Sequence, residues 1–254
     1  MRILPNVARI GFAALIVSLA IGLVASLGTR FGYWTVHFGH DVLYPCCLIA
    51  STVSLLLGLA WVLGAMIAND STAARYGFAA VVGSGLILIG PLYDYASNLG
   101  MPPIHDITTD TEHPPPFVSL LTQRDGSTNP PAYDGPNKIM FDGKLATVSS
   151  LQHKYYAPIK SAALLMAPEK MFKRAVDASY GMGWNIVAIV PDEGRIEATD
   201  TTWLFGYTDD IAIRVKPAGM GARLDIRSKA RVGNDDQGRN AARVKAFLKR
   251  LASM

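Results

Sequence analysis

Between positions 102 and 117 the chain reads PPIHDITTDTEHPPPF, two histidines and three carboxylates in a stretch that five prolines keep out of helix. His105, Asp106, Asp110 and His113 could supply imidazole and carboxylate ligands to zinc or iron, or an acid/base pair for hydrolysis. Their spacing matches no metal motif. An extended backbone sends His105 and Asp106 to opposite sides and puts Asp106, Thr108 and Asp110 on one. Aspartate and threonine beside proline also close turns on their own backbone, so the competing reading is a structural segment docked onto a domain.

Other sources of catalytic chemistry are thinner. Ser149 and Ser150 have no G-x-S-x-G elbow, and His153 nearby reads as a surface residue. Asp209 and Asp210 are neighbours, so on a strand they face opposite ways and make no carboxylate dyad. Gly181-Met182-Gly183 is too short for a phosphate loop and precedes a strand. No cofactor motif is present, and no catalytic residue is assigned.

The densest functional signal is cationic. Arg214 and Lys216 on one alternating segment are expected near Arg223, Asp225, Arg227 and Arg231 on the next. Arg214, Arg223, Asp225, Arg227 and Arg231, with Asp209, Asp210 and Glu197, form the candidate ligand-binding set. The rows suit either a solvated face of cross-strand ion pairs or a surface whose arginine forks hold lipid head groups, a carboxylate ligand or an acidic partner.

The elements that position these residues are legible. Pro168 opens a helix in which Met171, Phe172, Ala175, Val176 and Ser179 share a stripe, closed by Gly181 and Gly183. Trp184 to Val190 and Arg195 to Leu204 read as strands about a Pro191-Asp192-Glu193-Gly194 turn. Asp209 to Lys216 and Ala222 to Arg231 alternate apolar with charged residues, as half-buried strands do, and short glycine-rich links imply antiparallel hairpins. Asp236 caps a last helix striped by Val244, Phe247, Leu248 and Leu251. The order is helix, four strands, helix: an α+β class.

The first hundred residues are of another kind. Ile10 to Leu27, Val42 to Ala68 and Tyr76 to Tyr93 carry no charge, which predicts three transmembrane helices over about 10–28, 42–68 and 76–93. The first could instead be a cleaved signal peptide, with Arg2 and Arg9 before the apolar run and Val24-Ala25-Ser26 as the cleavage site. Arg2, Arg9 and Arg75 mark the cytoplasmic flanks. The expected location is therefore a bacterial inner membrane, multi-pass, with the N-terminus cytoplasmic and the C-terminal domain periplasmic. Cys46 and Cys47, the two cysteines, both lie in the second span, so the exported part contains no thiol, in keeping with an oxidising compartment.

Four of the 24 basic and three of the 20 acidic residues precede Met101, leaving the exported part a surplus of three, too small to argue for nucleic acid. Membrane lipids are the expected partners. Ala14, Ser18, Gly22 and Ser26 form a small-residue stripe on the first helix, suited either to packing within the bundle or to another membrane protein. His37, His40 and Asp41 fall in the first external loop and read as interfacial. No charge lies inside a span, so no ion path is indicated.

Several separated segments also carry a resemblance. Val148-Ser149-Ser150, Tyr156-Ala157-Pro158-Ile159, Ile196-Glu197-Ala198, Phe205-Gly206-Tyr207-Thr208-Asp209-Asp210 and Asp225 to Gly233, with Gly238, Asn240 and Arg243 beyond, resemble in order the domain-of-unknown-function 1499 family over roughly 144–251. The opening His-Asp-Ile-Thr-Thr-Asp segment is similar to one that precedes the domain in membrane-anchored bacterial members. Thr147 stands where many relatives have cysteine. The resemblance implies a fold and a location but no activity. The expected organisation is a membrane region over 1–95, an extended proline-rich linker over 96–143 and an α+β domain over 144–254. The expected function is a binding or accessory protein, such as an envelope-complex subunit or a lipid- or anion-binding module; the alternative is a hydrolase or metalloenzyme built on His105, Asp106, Asp110 and His113.

Overall fold

A computed structural model describes residues 4–254, so Arg2, one of the residues that argued orientation, lies outside the described residues. The chain forms two compact units, Met1–Leu99 with Trp203–Gly206, and Gly100–Thr202 with Tyr207–Met254.

The first unit is three long helices, α1 (Leu4–Arg30), α2 (Tyr44–Ala68) and α3 (Ser71–Asn98), with a π-helical lead-in at His37–Leu43. All three are long and apolar enough to cross a membrane. Leu23, Leu56, Leu63, Leu86 and Ile89 are exposed on them, as lipid-facing side chains are. His37, His40 and Asp41 sit in that helical lead-in instead of a loop, with Asp41 bridging both imidazoles. The stripe on α1 is occupied from within the bundle. Ser18 and Ser26 are fully buried, the Ser18 hydroxyl donates to the Cys47 carbonyl at 3.0 Å, and a Cβ on Gly22 would lie 3.0 Å from the Cys47 sulfur.

The second unit is built on a six-stranded antiparallel sheet. Its strands are β1 (Asp106–Thr108), β4 (Ala162–Leu164), β5 (Asn185–Val190), β6 (Arg195–Thr201), β7 (Thr208–Ala218) and β8 (Gly221–Ala230). They run in the order β1-β8-β7-β6-β5, with β4 also paired to β8. A separate hairpin joins β2 (Lys138–Phe141) and β3 (Lys144–Thr147). Helices α4 (Val148–Tyr155), α5 (Pro168–Gly181) and α6 (Arg239–Ser253) complete it.

The predicted helix, four strands and helix are α5, β5 to β8 and α6. The segment expected as a linker over 96–143 contributes β1 to the sheet and the hairpin strand β2, and from Gly100 onward it belongs to this same unit. One face of the sheet is apolar because every second residue is: Ile196, Ile211, Ile213, Leu224 and Ile226 meet Met171, Ala175, Val244, Phe247 and Leu251 from the helices. Trp184 stacks on Phe247 with ring centroids 5.4 Å apart. The edge of β1 is closed by Gln152 of α4, whose amide oxygen accepts from Thr108 N at 3.1 Å and whose nitrogen donates to Thr108 O. An otherwise open strand edge is thereby satisfied by one side chain.

Candidate functional site

The second sheet face carries charge in three cross-strand rows. Register places Thr199, Asp210, Lys229 and Asp106 in one, Glu197, Ala212, Arg227 and Thr108 in the next, and Arg195, Arg214 and Asp225 in the third. Sequence alone suggested that these rows face solvent or an outside anion. Most of their charges do not: Glu197, Asp210, Asp225, Arg227 and Lys229 are all buried, while Arg195 and Arg214 are partly exposed. The residues from Thr109 to Asp134 lie over them as a strap, and the charges are paired internally.

Each row has its own closure. Asp106 receives both fork nitrogens of Arg227, at 2.9 and 2.8 Å, and the same guanidinium donates to the carbonyls of Pro131 and Ala132. The Phe117 ring covers it, 4.5 Å from its central carbon. Lys229 donates to the Ala132 carbonyl and pairs with Asp134, both at 2.7 Å. His105 pairs with Asp134 through Nε2 at 3.0 Å, while its Nδ1 lies 3.1 Å from the Asn234 carbonyl. Burial opposes the charge on His105, but the bonds to Asp134 and to that carbonyl raise its pKa above the ordinary value. Asp134 moves the other way: desolvation is outweighed by His105 and Lys229, and its pKa is lowered.

Asp210 binds Arg231 at 2.8 Å and Arg124. Burial, with the neighbouring charges of Arg231 and Arg227, lowers the Arg124 pKa. Glu197 pairs with Arg195 and accepts the backbone N–H groups of Val118, Ser119 and Leu120 at 3.0, 2.9 and 2.9 Å, which pins the 3₁₀ turn Ser119–Gln123 of the strap. Asp225 binds Arg214 at 2.9 Å and Arg223 at 3.1 Å, and both arginines reach Asp110 of the strap. Burial pushes Asp110 up, but the N–H groups of His113 and Glu112 and the charges of Arg223 and Arg214 bring its pKa below the usual value.

Asp209 points to the opposite face from Asp210, as strand geometry requires, and meets Arg243 of α6 at 2.6 Å. Burial raises its pKa despite that arginine. Arg243 also binds Asp200 and donates to Ser228 and Asn240.

The four residues of the metalloenzyme alternative are not brought together. His105 goes to Asp134, Asp106 to Arg227, Asp110 to Arg214 and Arg223, and His113 is exposed, its N–H on Asp110. Among the described residues no three His, Cys, Asp or Glu side chains are placed to share a metal. Asp106 and Asp110 are the two of the four that arginine engages.

The covered face opens beside Pro115 and Pro116. Pro115, Pro116 and Val118 of the strap, Glu193 of the β5–β6 turn and Arg195, Ile213, Arg214 and Lys216 of the sheet line a cavity of about 260 Å³. Arg195 and Arg214 stand directly opposite each other on β6 and β7, and Arg214 Nε is buried without a hydrogen-bond partner. Sequence reasoning missed Arg124, Asp134 and Arg195. The first two sit among turn residues with no periodicity to mark them. Arg195 was legible, since it begins the strand that carries Glu197 two residues on.

Residues 106–251, more than half of the chain, match the family described as "Protein of unknown function (DUF1499)". The match begins at the first residue of β1 and so includes the strap as well as the sheet. No curated protein matches the chain.

Proposed function

The chain belongs to the DUF1499 family of proteins of unknown function, and on that premise we propose that it is a membrane-anchored binding or accessory module acting on an anionic ligand or partner. Its folded unit is read as lying on the side of the membrane opposite the N-terminus, the periplasm in a bacterium. Three apolar helices support the anchor, and an odd number of crossings with Arg9 and Arg75 on the cytoplasmic flanks supports the orientation. The exposed leucines and isoleucines of the helices give membrane lipids as the surrounding partner.

The observation that carries the binding reading is the cavity beside Pro115 and Pro116. There the charge rows, elsewhere closed by the strap, meet a concave opening lined by three cations and one carboxylate. A rigid sheet holds those cations in place, which suits recognition more than turnover.

Protease treatment of spheroplasts carrying a C-terminal tag tests the location. The tag is expected to be digested from outside, and a protected tag would overturn the orientation. Extraction in several mild detergents followed by native mass spectrometry tests the binding role: a co-purifying anionic lipid, small ligand or partner is expected, and a bare monomer in every detergent argues against it.

A further inference from the structure

We infer that the cavity lined by Arg195, Arg214 and Lys216 binds a phosphate monoester group; this rests on the anion-binding reading above and names its ligand class and contacts. Arg195 and Arg214 are directly opposed in the β6–β7 register, an arrangement of like charges that is unfavourable in a sheet unless anions lie between or beside them. Internal carboxylates satisfy part of this demand. Arg195 holds Glu193 and Glu197, and Arg214 holds Asp110 and Asp225 through one terminal nitrogen, Nη2. What remains belongs to residues that line the cavity. Arg214 Nε is buried with no acceptor, and Lys216, two residues further along β7, makes no ion pair among the described residues.

The lining carries three cations against Glu193, whose side chain is largely open to solvent. A carboxylate ligand, with one charge and two oxygens, would be met by a single arginine fork and leave Lys216 without a partner. A phosphate monoester carries about −1.5 to −2 charges and three acceptor oxygens, which two guanidiniums and an ammonium match. The other wall is Pro115, Pro116 and Val118 of the strap, rigid and apolar, so it suits a compact apolar substituent on the ester. The group could come from a soluble monoester or from a lipid head group, and the chemistry recognised is the same.

The test uses the full chain in phosphatidylcholine nanodiscs and its thermal midpoint, with phenyl phosphate titrated at constant ionic strength against benzoate. A bound ligand raises the midpoint in a saturable way. The wild type and Lys216→Arg are expected to show that rise with phenyl phosphate and not with benzoate. Lys216→Gln removes an exposed, unpaired charge, so it leaves the fold intact by circular dichroism; it is expected to need roughly tenfold more phenyl phosphate for the same rise.

Discs doped with phosphatidic acid separate the sources. If the lipid supplies the group, doping raises the wild-type midpoint with no phenyl phosphate present, and Lys216→Gln loses that rise. If a soluble monoester supplies it, doping changes nothing. No saturable rise from either phosphate, equal rises in Lys216→Gln, or equal effects of benzoate would each overturn the proposal. An equal saturable rise with benzoate would overturn phosphate recognition and leave anion binding standing, whereas no rise with either anion would count against both, so the two readings fail distinguishably.

Discussion

Arg227 of β8 and Asp106 of β1 form a two-pronged ion pair, Nε to Oδ1 at 2.9 Å and Nη2 to Oδ2 at 2.8 Å, with Arg227 2% and Asp106 0% exposed. The pair ties the first strand of the second unit to β8 of its sheet. Removing one partner of a buried pair strands the other charge, which costs about 3–5 kcal/mol. Arg227→Gln is therefore expected to lower the unfolding midpoint steeply in urea followed by tryptophan fluorescence. The double replacement Asp106→Leu with Arg227→Met removes both charges and is expected to cost much less. An unchanged midpoint in Arg227→Gln would show that the pair contributes nothing.

The His105–Asp134 pair makes stability depend on pH in a defined direction. The folded pKa of His105 is raised above its ordinary 6.5, so its contribution is complete below that value and is lost as pH rises through the folded pKa. Asp134 has a lowered pKa, so its contribution is present above the ordinary 3.8 and is lost as pH falls through the folded value. Stability from this pair is greatest between the two. His105→Gln is expected to flatten the fall on the alkaline side and leave the rest of the profile in shape. Parallel wild-type and variant profiles from about pH 6 to pH 9 would remove the pair from the account.

Much of this was legible in the chain, and the failures have physical causes. Alternation in Asp209–Lys216 and Ala222–Arg231 located β7 and β8 and their apolar face correctly, because a period of two is a direct readout of burial on one side. The same alternation misled about the other face. Charge looks like solvent exposure until one knows that a second segment of matching carboxylates, Asp106, Asp110 and Asp134, comes down on it. That segment is irregular, so nothing local announced that it covers a sheet; only the excess of aspartate opposite an excess of arginine hinted at it. The hairpin β2–β3 was missed although Asp142-Gly143, with φ of 51° and 68°, is the commonest signal for a tight turn between strands. Its strands are half exposed and lack clear alternation, which left the turn without context.

Gly194 closes the turn between β5 and β6 with φ of 63°, and a Cβ there would lie 2.1 Å from the Val215 carbonyl oxygen. Val215 in turn donates to the Gly194 carbonyl at 2.8 Å, so the contact that would have to open is a backbone pairing beside Arg214 and Lys216. Gly143 has a similar φ of 68° but open space around it. Gly143→Ala is expected to cost only the left-handed backbone penalty, about 1 kcal/mol. Gly194→Ala adds a clash with backbone that cannot rotate away, and about 3 kcal/mol or more is expected from strain and overpacking together. Equal unfolding free energies for the two variants would refute the close approach.

The anchor depends on a close crossing of α2 and α3. A Cβ on Gly58 would lie 3.0 Å from both the Gly77 carbonyl oxygen and the Ala80 Cβ, and one on Gly77 would lie 3.1 Å from the Gly58 carbonyl oxygen. Without a hydrophobic force between helices in lipid, such backbone proximity is what holds them, and small residues at the crossing permit it. Gly64 on the same helix and Gly85 on α3 have nothing within 4 Å of an added Cβ. Gly58→Val is expected to part the helices at a cost of about 1–3 kcal/mol, seen as a lower thermal midpoint of the full chain in mild detergent. Gly64→Val and Gly85→Val, which add the same side chain to open positions, are expected to match the wild type. If all three variants melt alike, the bundle is held by something other than this crossing.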